Sequence, residues 1–145
     1  MKKLTFLSAK VATKTSVLLL MIVTLFLSAC GNDKKQIDAL AKETETIHDE
    51  AMKDLADMNR VARELKETLI ASTMTPEQSA PYSEALTNMG NAENQMMEWM
   101  KNYKTLDEMK PEEALKYLQE QKTLIEKNRA EIKTALAAGL KLQGK

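Results

Sequence analysis

The chain has 145 residues, one cysteine, and 21 basic against 21 acidic residues. Four of the basic residues precede Cys30 whereas every acidic residue follows it, so the chain from Cys30 onward has a net charge of −4. This balance argues against nucleic-acid binding, which needs a concentrated basic face, and against electrostatic adhesion to an anionic lipid surface. One cysteine excludes a disulfide within the chain, and the length suits a single domain.

The N-terminal segment has the pattern of a bacterial lipoprotein signal peptide. Its lysines precede an apolar run, Val17–Leu27, that contains no charge and is too short to span a membrane, which takes ~20 apolar residues. Leu27-Ser28-Ala29-Cys30 then resembles a lipobox, which implies cleavage before Cys30 and a diacylglycerol on its thiol. We therefore expect a signal peptide at 1–29, a lipidated tether at 30–36 and a helical domain at 37–145. The alternative is an ordinary secretory signal with an incidental cysteine.

The first predicted helix runs from about Asp33 to Ser72, because apolar or small side chains recur there every three or four residues without a glycine or proline. Such a helix is a rod ~60 Å long. It is much longer than the helix that follows. Its first part, from Asp33 to Thr46, is therefore expected either to extend beyond the bundle as a stalk or to pack only on the third helix.

The second predicted helix begins at a clear start signal. Thr75 is placed to be the N-cap, Pro76 occupies the first helical position, and Gln78 completes a capping box. The apolar stripe that follows runs from Tyr82 and ends near Lys104.

The third predicted helix follows a turn at residues 105–110. Pro111 opens it, acidic residues fill its first turn, and Gly139 followed by Lys141 predicts its end. Short connections make successive helices antiparallel. The predicted fold is therefore an all-α, up-down-up three-helix bundle with a long first helix, preceded by the cleaved signal peptide.

Methionines cluster where the first two helices face each other. An antiparallel hairpin places Met52 and Met58 opposite Met96 and Met100, with His48 one turn nearer the N-terminal end. Thioethers and an imidazole are suitable ligands for Cu(I), so His48, Met52, Met96 and Met100 form a candidate copper site. The alternative, which we expect, is that these methionines only fill the core.

Two further patterns are ambiguous. Glu45 and His48 match the Glu-x-x-His pair of di-iron bundles, but the chain has one histidine and a complete site would need a dimer. The alternative is a solvated or capping cluster at His48, Asp49 and Glu50. Met97 and Trp99 lie off the main stripe of the second helix, so they either face the third helix or form an exposed patch for a partner.

The sequence carries no pattern of a catalytic site. It has no Ser/His/Asp arrangement, no glycine-rich phosphate loop and no recognisable carboxylate pair. We therefore expect a protein that is not an enzyme and that has no cofactor.

Two segments, Ile47-His48-Asp49-Glu50-Ala51-Met52 and Met96-Met97-Glu98-Trp99-Met100-Lys101-Asn102-Tyr103, carry a family resemblance. They resemble small lipoproteins of Bacteroidota that bear the label "viral A-type inclusion protein", and the similarity covers most of the chain after Cys30. The most specific pieces are H-D-E-x-M and M-x-W-M. The resemblance implies no activity, but it does imply the envelope of a diderm cell.

The residues after Cys30 bear on localisation. In the lipoproteins that this chain resembles, an aspartate directly after the cysteine favours inner-membrane retention in some lineages and an acidic run favours surface export in others. Gly31-Asn32-Asp33-Lys34-Lys35 has neither, so the resemblance implies the outer membrane with the protein facing the periplasm. We predict a lipid-anchored, non-enzymatic envelope protein that serves as an interaction or structural helical module, with the membrane and another envelope protein as partners. The alternative is a small envelope protein that binds copper or acts in a stress response through the Met/His cluster.

Overall fold

The computed structural model describes the backbone of residues 6–144 and the side chains of residues 33–144. This part of the chain has three α-helices and no strand: α1 (Phe6–Ala71), α2 (Pro76–Asn102) and α3 (Pro111–Leu142). The helices pack on one another, so the predicted all-α three-helix bundle with a long first helix is confirmed.

The predicted signal peptide at 1–29 and lipid site at Cys30 lie outside the residues whose side chains are described. Among the described residues, none of the helices combines the length and the apolar character that crossing a membrane requires.

Helices α1 and α3 run in the same direction. Three side-chain contacts each join residues 79 positions apart: Glu43–Lys122, Glu50–Arg129 and Glu64–Gln143. The contact of Glu43 shows that the first part of α1 packs on α3, with 2.7 Å between the Lys122 Nζ and a carboxylate oxygen. The expectation of a free stalk is therefore wrong at Glu43, and the packing is not only on the third helix, because Ala41 and Glu45 also line a groove with residues of α2.

Helix α2 runs in the opposite direction. His48 of α1 stacks on Trp99, whereas Asn59, farther along α1, donates a hydrogen bond to Glu93, which comes earlier in α2. Contacts that move forward along one helix and backward along the other define an antiparallel pair. The topology is therefore up-down-up.

The core consists of apolar side chains from all three helices. Leu65 of α1, Met96 of α2 and Ile125 of α3 are fully buried, and Met58 lies in the same cluster. The helices are held together mainly by this burial, since each large apolar side chain removed from water contributes ~1.5–3 kcal/mol.

Helix α2 starts as the sequence predicts. The Gln78 backbone N–H donates to the Thr75 hydroxyl at 3.4 Å, and the Thr75 N–H donates to the Gln78 side chain at 2.9 Å. Pro76 is the first helical residue, and the helix continues through Pro81.

The predicted end of α3 is correct to within three residues, with Lys141 in the last turn, but Gly139 does not end the helix. The helix passes through Gly139 and ends at Leu142, and Gly139 is one of its buried residues. A Cβ at this position would lie 2.2 Å from the Met89 Cε and 2.8 Å from the Val61 Cγ1. Gly139 therefore permits a close approach of three helices. The glycine with a positive φ is Gly144, just beyond the helix.

Candidate functional site

Four rings form a ladder at the end of the bundle where α2 stops and α3 begins. The His48 and Trp99 rings are stacked, with centroids 5.6 Å apart and planes inclined by 27°. Tyr103 follows at 5.0 Å from Trp99, and Tyr117 lies 5.8 Å from Tyr103. This aromatic ladder joins α1, the end of α2 and the start of α3.

The sequence spacing of two rings of the ladder places both on one side of α2. Trp99 and Tyr103 are four residues apart, which puts their side chains on the same helix face. The helix ends at Tyr103, where the backbone becomes extended. The Lys104 N–H then donates to the Tyr117 hydroxyl at 2.6 Å, which ties the linker to α3.

A groove with a volume of about 420 Å³ opens beside the ladder. Its position between helices and its volume are typical of sites for small molecules. The groove is lined by Ala41, Thr44, Glu45 and His48 of α1 together with Trp99, Met100 and Tyr103.

Glu45 gives the groove a negative charge. Nearby acidic residues of α1 are neutralised, since Glu43 pairs with Lys122 and Glu50 with Arg129. Within residues 33–144, no basic side chain forms an ion pair with Glu45. The charge of Glu45 therefore remains available to a ligand.

The phenol of Tyr103 is affected by its surroundings in the groove. Burial, with smaller contributions from Tyr117 and from the charge of Glu45, raises the pKa of Tyr103 above its ordinary value. Both burial and a neighbouring negative charge disfavour the phenolate. Tyr103 is therefore a neutral hydrogen-bonding group at physiological pH.

Two buried ring nitrogens of the groove residues have no hydrogen-bond partner in the described part of the chain: His48 Nε2 and Trp99 Nε1. The His48 Nδ1 lies 3.4 Å from a carboxylate oxygen of Asp49. If the Nδ1–H donates there, Nε2 is left as an acceptor, whereas the indole of Trp99 can only donate. An unpaired buried group costs ~1–3 kcal/mol, and both nitrogens are closed to solvent.

The four candidate copper ligands do not lie in one site. His48 and Met100 line the groove, whereas Met96 is fully buried in the core and Met52 is partly buried against it. Across the described residues, no three His, Cys, Asp or Glu side chains are grouped so that they could hold a metal ion. Glu45, the other half of the Glu-x-x-His pattern, lines the same groove as His48.

The two residues of the candidate partner surface, Met97 and Trp99, do not form one exposed patch. Met97 is 41% exposed, whereas Trp99 is partly buried against the core and contacts His48 and Tyr103. Trp99 therefore packs on α1, a position that neither of the two sequence alternatives included.

The expectation of a solvated or capping cluster at residues 48–50 is wrong for His48. Its ring stacks on Trp99 because the antiparallel register brings the two rings together. Glu50 pairs with Arg129 of α3 while its side chain remains 45% exposed, and Asp49 is exposed.

Sequence reasoning missed Tyr103 and Tyr117 as members of the site. The spacing of Trp99 and Tyr103 was a usable signal, but the place of Tyr117 depends on how three helices align.

Comparisons with protein-family models, with curated proteins and with solved structures find no match to this chain.

Proposed function

We propose that this chain is a lipid-anchored, non-enzymatic protein of the cell envelope that acts as an interaction module. The feature that carries the proposal is the lipobox-like Leu27-Ser28-Ala29-Cys30, which lies on the same helix, α1, that packs on α3 farther along at Glu43. A lipid on Cys30 would therefore orient the whole bundle. At 1.5 Å per residue, Ala41 in the groove lies ~17 Å along the helix from Cys30, and the turn after Ala71 lies ~60 Å away.

The groove supports an interaction role. Its lining offers a carboxylate, an imidazole, two aromatic rings and a thioether, which are groups that hold a ligand by charge, stacking and hydrogen bonds. It lies at the end of the bundle nearer the proposed anchor, so the ligand would be bound close to the membrane surface.

The sequence after Cys30 supports a location at the outer membrane, facing the periplasm. Gly31 rather than aspartate follows the cysteine, and no acidic run comes after it. The resemblance to small Bacteroidota lipoproteins supports the same setting.

Substitution of the cysteine tests the anchor. Cys30→Ala is expected to abolish acylation and to leave a precursor that retains residues 1–29, because the thiol is the acceptor of the diacylglycerol. Ser28→Ala is the matched control, since the lipobox accepts either residue, and it should be processed and recovered with membranes like the unmutated protein. Recovery of the unmutated protein as a water-soluble chain that begins at residue 30 would contradict the proposal.

Copper binding is the second candidate function, and one observation favours it. His48 Nε2 is unpaired while the Nδ1 lies near the Asp49 carboxylate, an arrangement that holds and orients metal-ligating imidazoles. Met100 lines the same groove. Sub-micromolar Cu(I) binding that is lost in both His48→Ala and Met100→Leu, but kept in Met96→Leu, would favour a metal binder over an interaction module.

A further inference from the structure

We propose that the groove binds an organic ammonium ion, with Glu45 as its counter-charge and with Trp99 and Tyr103 as its aromatic contacts. This inference deepens the proposed function and rests on it for the role of the groove as the recognition site.

The sign of the ligand charge follows from the groove lining. Glu45 is the one acidic residue among the seven lining residues, and none of the seven is a lysine or an arginine. The carboxylate has no basic partner among the described side chains. An anion would meet an unpaired negative charge there, whereas a cation would neutralise it.

The aromatic rings lie where such a cation would bind. Glu45 comes one turn before His48 in α1, and Tyr103, the C-cap residue of α2, comes four residues after Trp99. Because His48 contacts Trp99 and the helices are antiparallel, Glu45 and Tyr103 lie at the same level of the groove. The charge of Glu45 reaches the phenol of Tyr103, since it contributes to the raised pKa of that group.

The chemistry of the rings suits an ammonium group. Tryptophan and tyrosine faces attract cations through the ring quadrupole, and quaternary ammonium ligands are commonly bound in this way. Tyr103 is 36% exposed, so part of its ring is accessible. A carboxylate beside aromatic rings favours a cation that also carries apolar surface over a small hydrated metal ion.

Choline is the probe that combines these features, and Trp99 is the reporter, because it is the only tryptophan in the sequence. The full-length protein, purified in an uncharged maltoside detergent, is titrated with choline while tryptophan fluorescence is recorded. Dimethylbutanol, the neutral carbon analogue of choline, is the matched control ligand. We expect a saturable change with choline and at least about tenfold weaker binding of the neutral analogue, because only the cation gains from the carboxylate and the rings.

Two substitutions test the counter-charge. Glu45→Gln keeps the size of the side chain and removes its charge, so we expect choline binding to weaken by about tenfold or more. Glu98→Gln removes a charge beside Trp99 that is not part of the groove lining, and choline affinity should stay within about twofold, because this carboxylate does not line the groove.

The remaining outcomes overturn the inference. An absence of any fluorescence change with choline, equal binding of the neutral analogue, or equal binding by Glu45→Gln would exclude an ammonium site that depends on Glu45. Cu(I) binding without choline binding would assign the groove to a metal. The mass of the same preparation reports acylation independently, so a failed anchor and a failed ligand site are distinguishable.

Discussion

At the scale of single residues, Gly139 has the clearest structural role. A side chain there would collide with Met89 and Val61, and the γ-carbon of a valine cannot move aside as the end of a methionine can. We expect Gly139→Ala to lower the free energy of unfolding, because overpacking costs ~1–3 kcal/mol while alanine gains only ~1 kcal/mol of helix propensity.

Gly90 provides a matched control for this prediction. It also lies inside a helix, but a Cβ built there meets nothing within 4 Å. Gly90→Ala is therefore expected to raise the free energy of unfolding by up to ~1 kcal/mol. Denaturant titrations of both variants measure the difference, and equal stabilisation by the two substitutions would show that the close approach at Gly139 is incorrect.

The raised pKa of Tyr103 leads to a prediction about how the stability of the fold changes at alkaline pH. Burial chiefly raises its pKa in the folded state, so folding favours the neutral phenol. This contribution is complete below the ordinary tyrosine pKa of 10.0 and is lost as the pH rises through the raised value. We expect Tyr103→Phe to lose less stability than the unmutated protein above about pH 10.

Ultraviolet titration of the tyrosines checks the same prediction directly. The component that ionises at the highest pH should disappear in Tyr103→Phe and remain in Tyr82→Phe. A titration curve that keeps its last component in the Tyr103 variant would assign the raised pKa to another residue.

At the scale of elements, Arg129 links α3 to α1. Its Nε donates to Asp54 at 2.9 Å, and its Nη1 pairs with Glu50. The side chains of Arg129 and Asp54 are only 29% and 25% exposed. We expect Arg129→Met to lower the free energy of unfolding by about 1–2 kcal/mol, because it leaves two carboxylates of α1 without their partner.

Arg60 is the control for the charge alone. It pairs with Asp57 and Glu64 of its own helix, and its side chain is 51% exposed. Arg60→Met should lower the free energy of unfolding by much less than Arg129→Met, because exposed pairs within a helix contribute little. Denaturant unfolding compares the two variants. Equal losses in the free energy of unfolding would mean that the ion pairs between α3 and α1 add nothing to stability.

Local interactions decide which element boundaries the sequence predicts correctly. The start of α2 depends on Thr75, Pro76 and Gln78, which contact one another, so the pattern alone identifies it. Gly139 presents the same local signal as a helix end, but its reason is a contact with α1 and α2. The sequence pattern cannot distinguish a glycine that ends a helix from one that lets other helices approach.

At the scale of the whole molecule, helical periodicity is sufficient to predict the bundle, whereas the site requires the register between helices. The 79-residue offset between α1 and α3 brings residues distant in sequence to the same level of the bundle. Trp99 and Tyr103 could be placed on one helix face from their spacing. Their alignment with His48 and Tyr117 depends on packing that no local pattern records.

The anchor decides which end of the bundle faces the membrane. An anchor at Cys30 would place the groove and the aromatic ladder near the lipid surface and the turn after α1 far from it. The geometry of the groove itself does not depend on the lipid.

The most direct test is the mass of the N-terminal peptide of the protein extracted from membranes of cells that express the unmutated gene. The account predicts a peptide that begins at Cys30 and carries at least a diacylglycerol on its thiol. An N-terminal peptide with a free Cys30 thiol, or one that begins elsewhere and is recovered from the aqueous fraction, would contradict it.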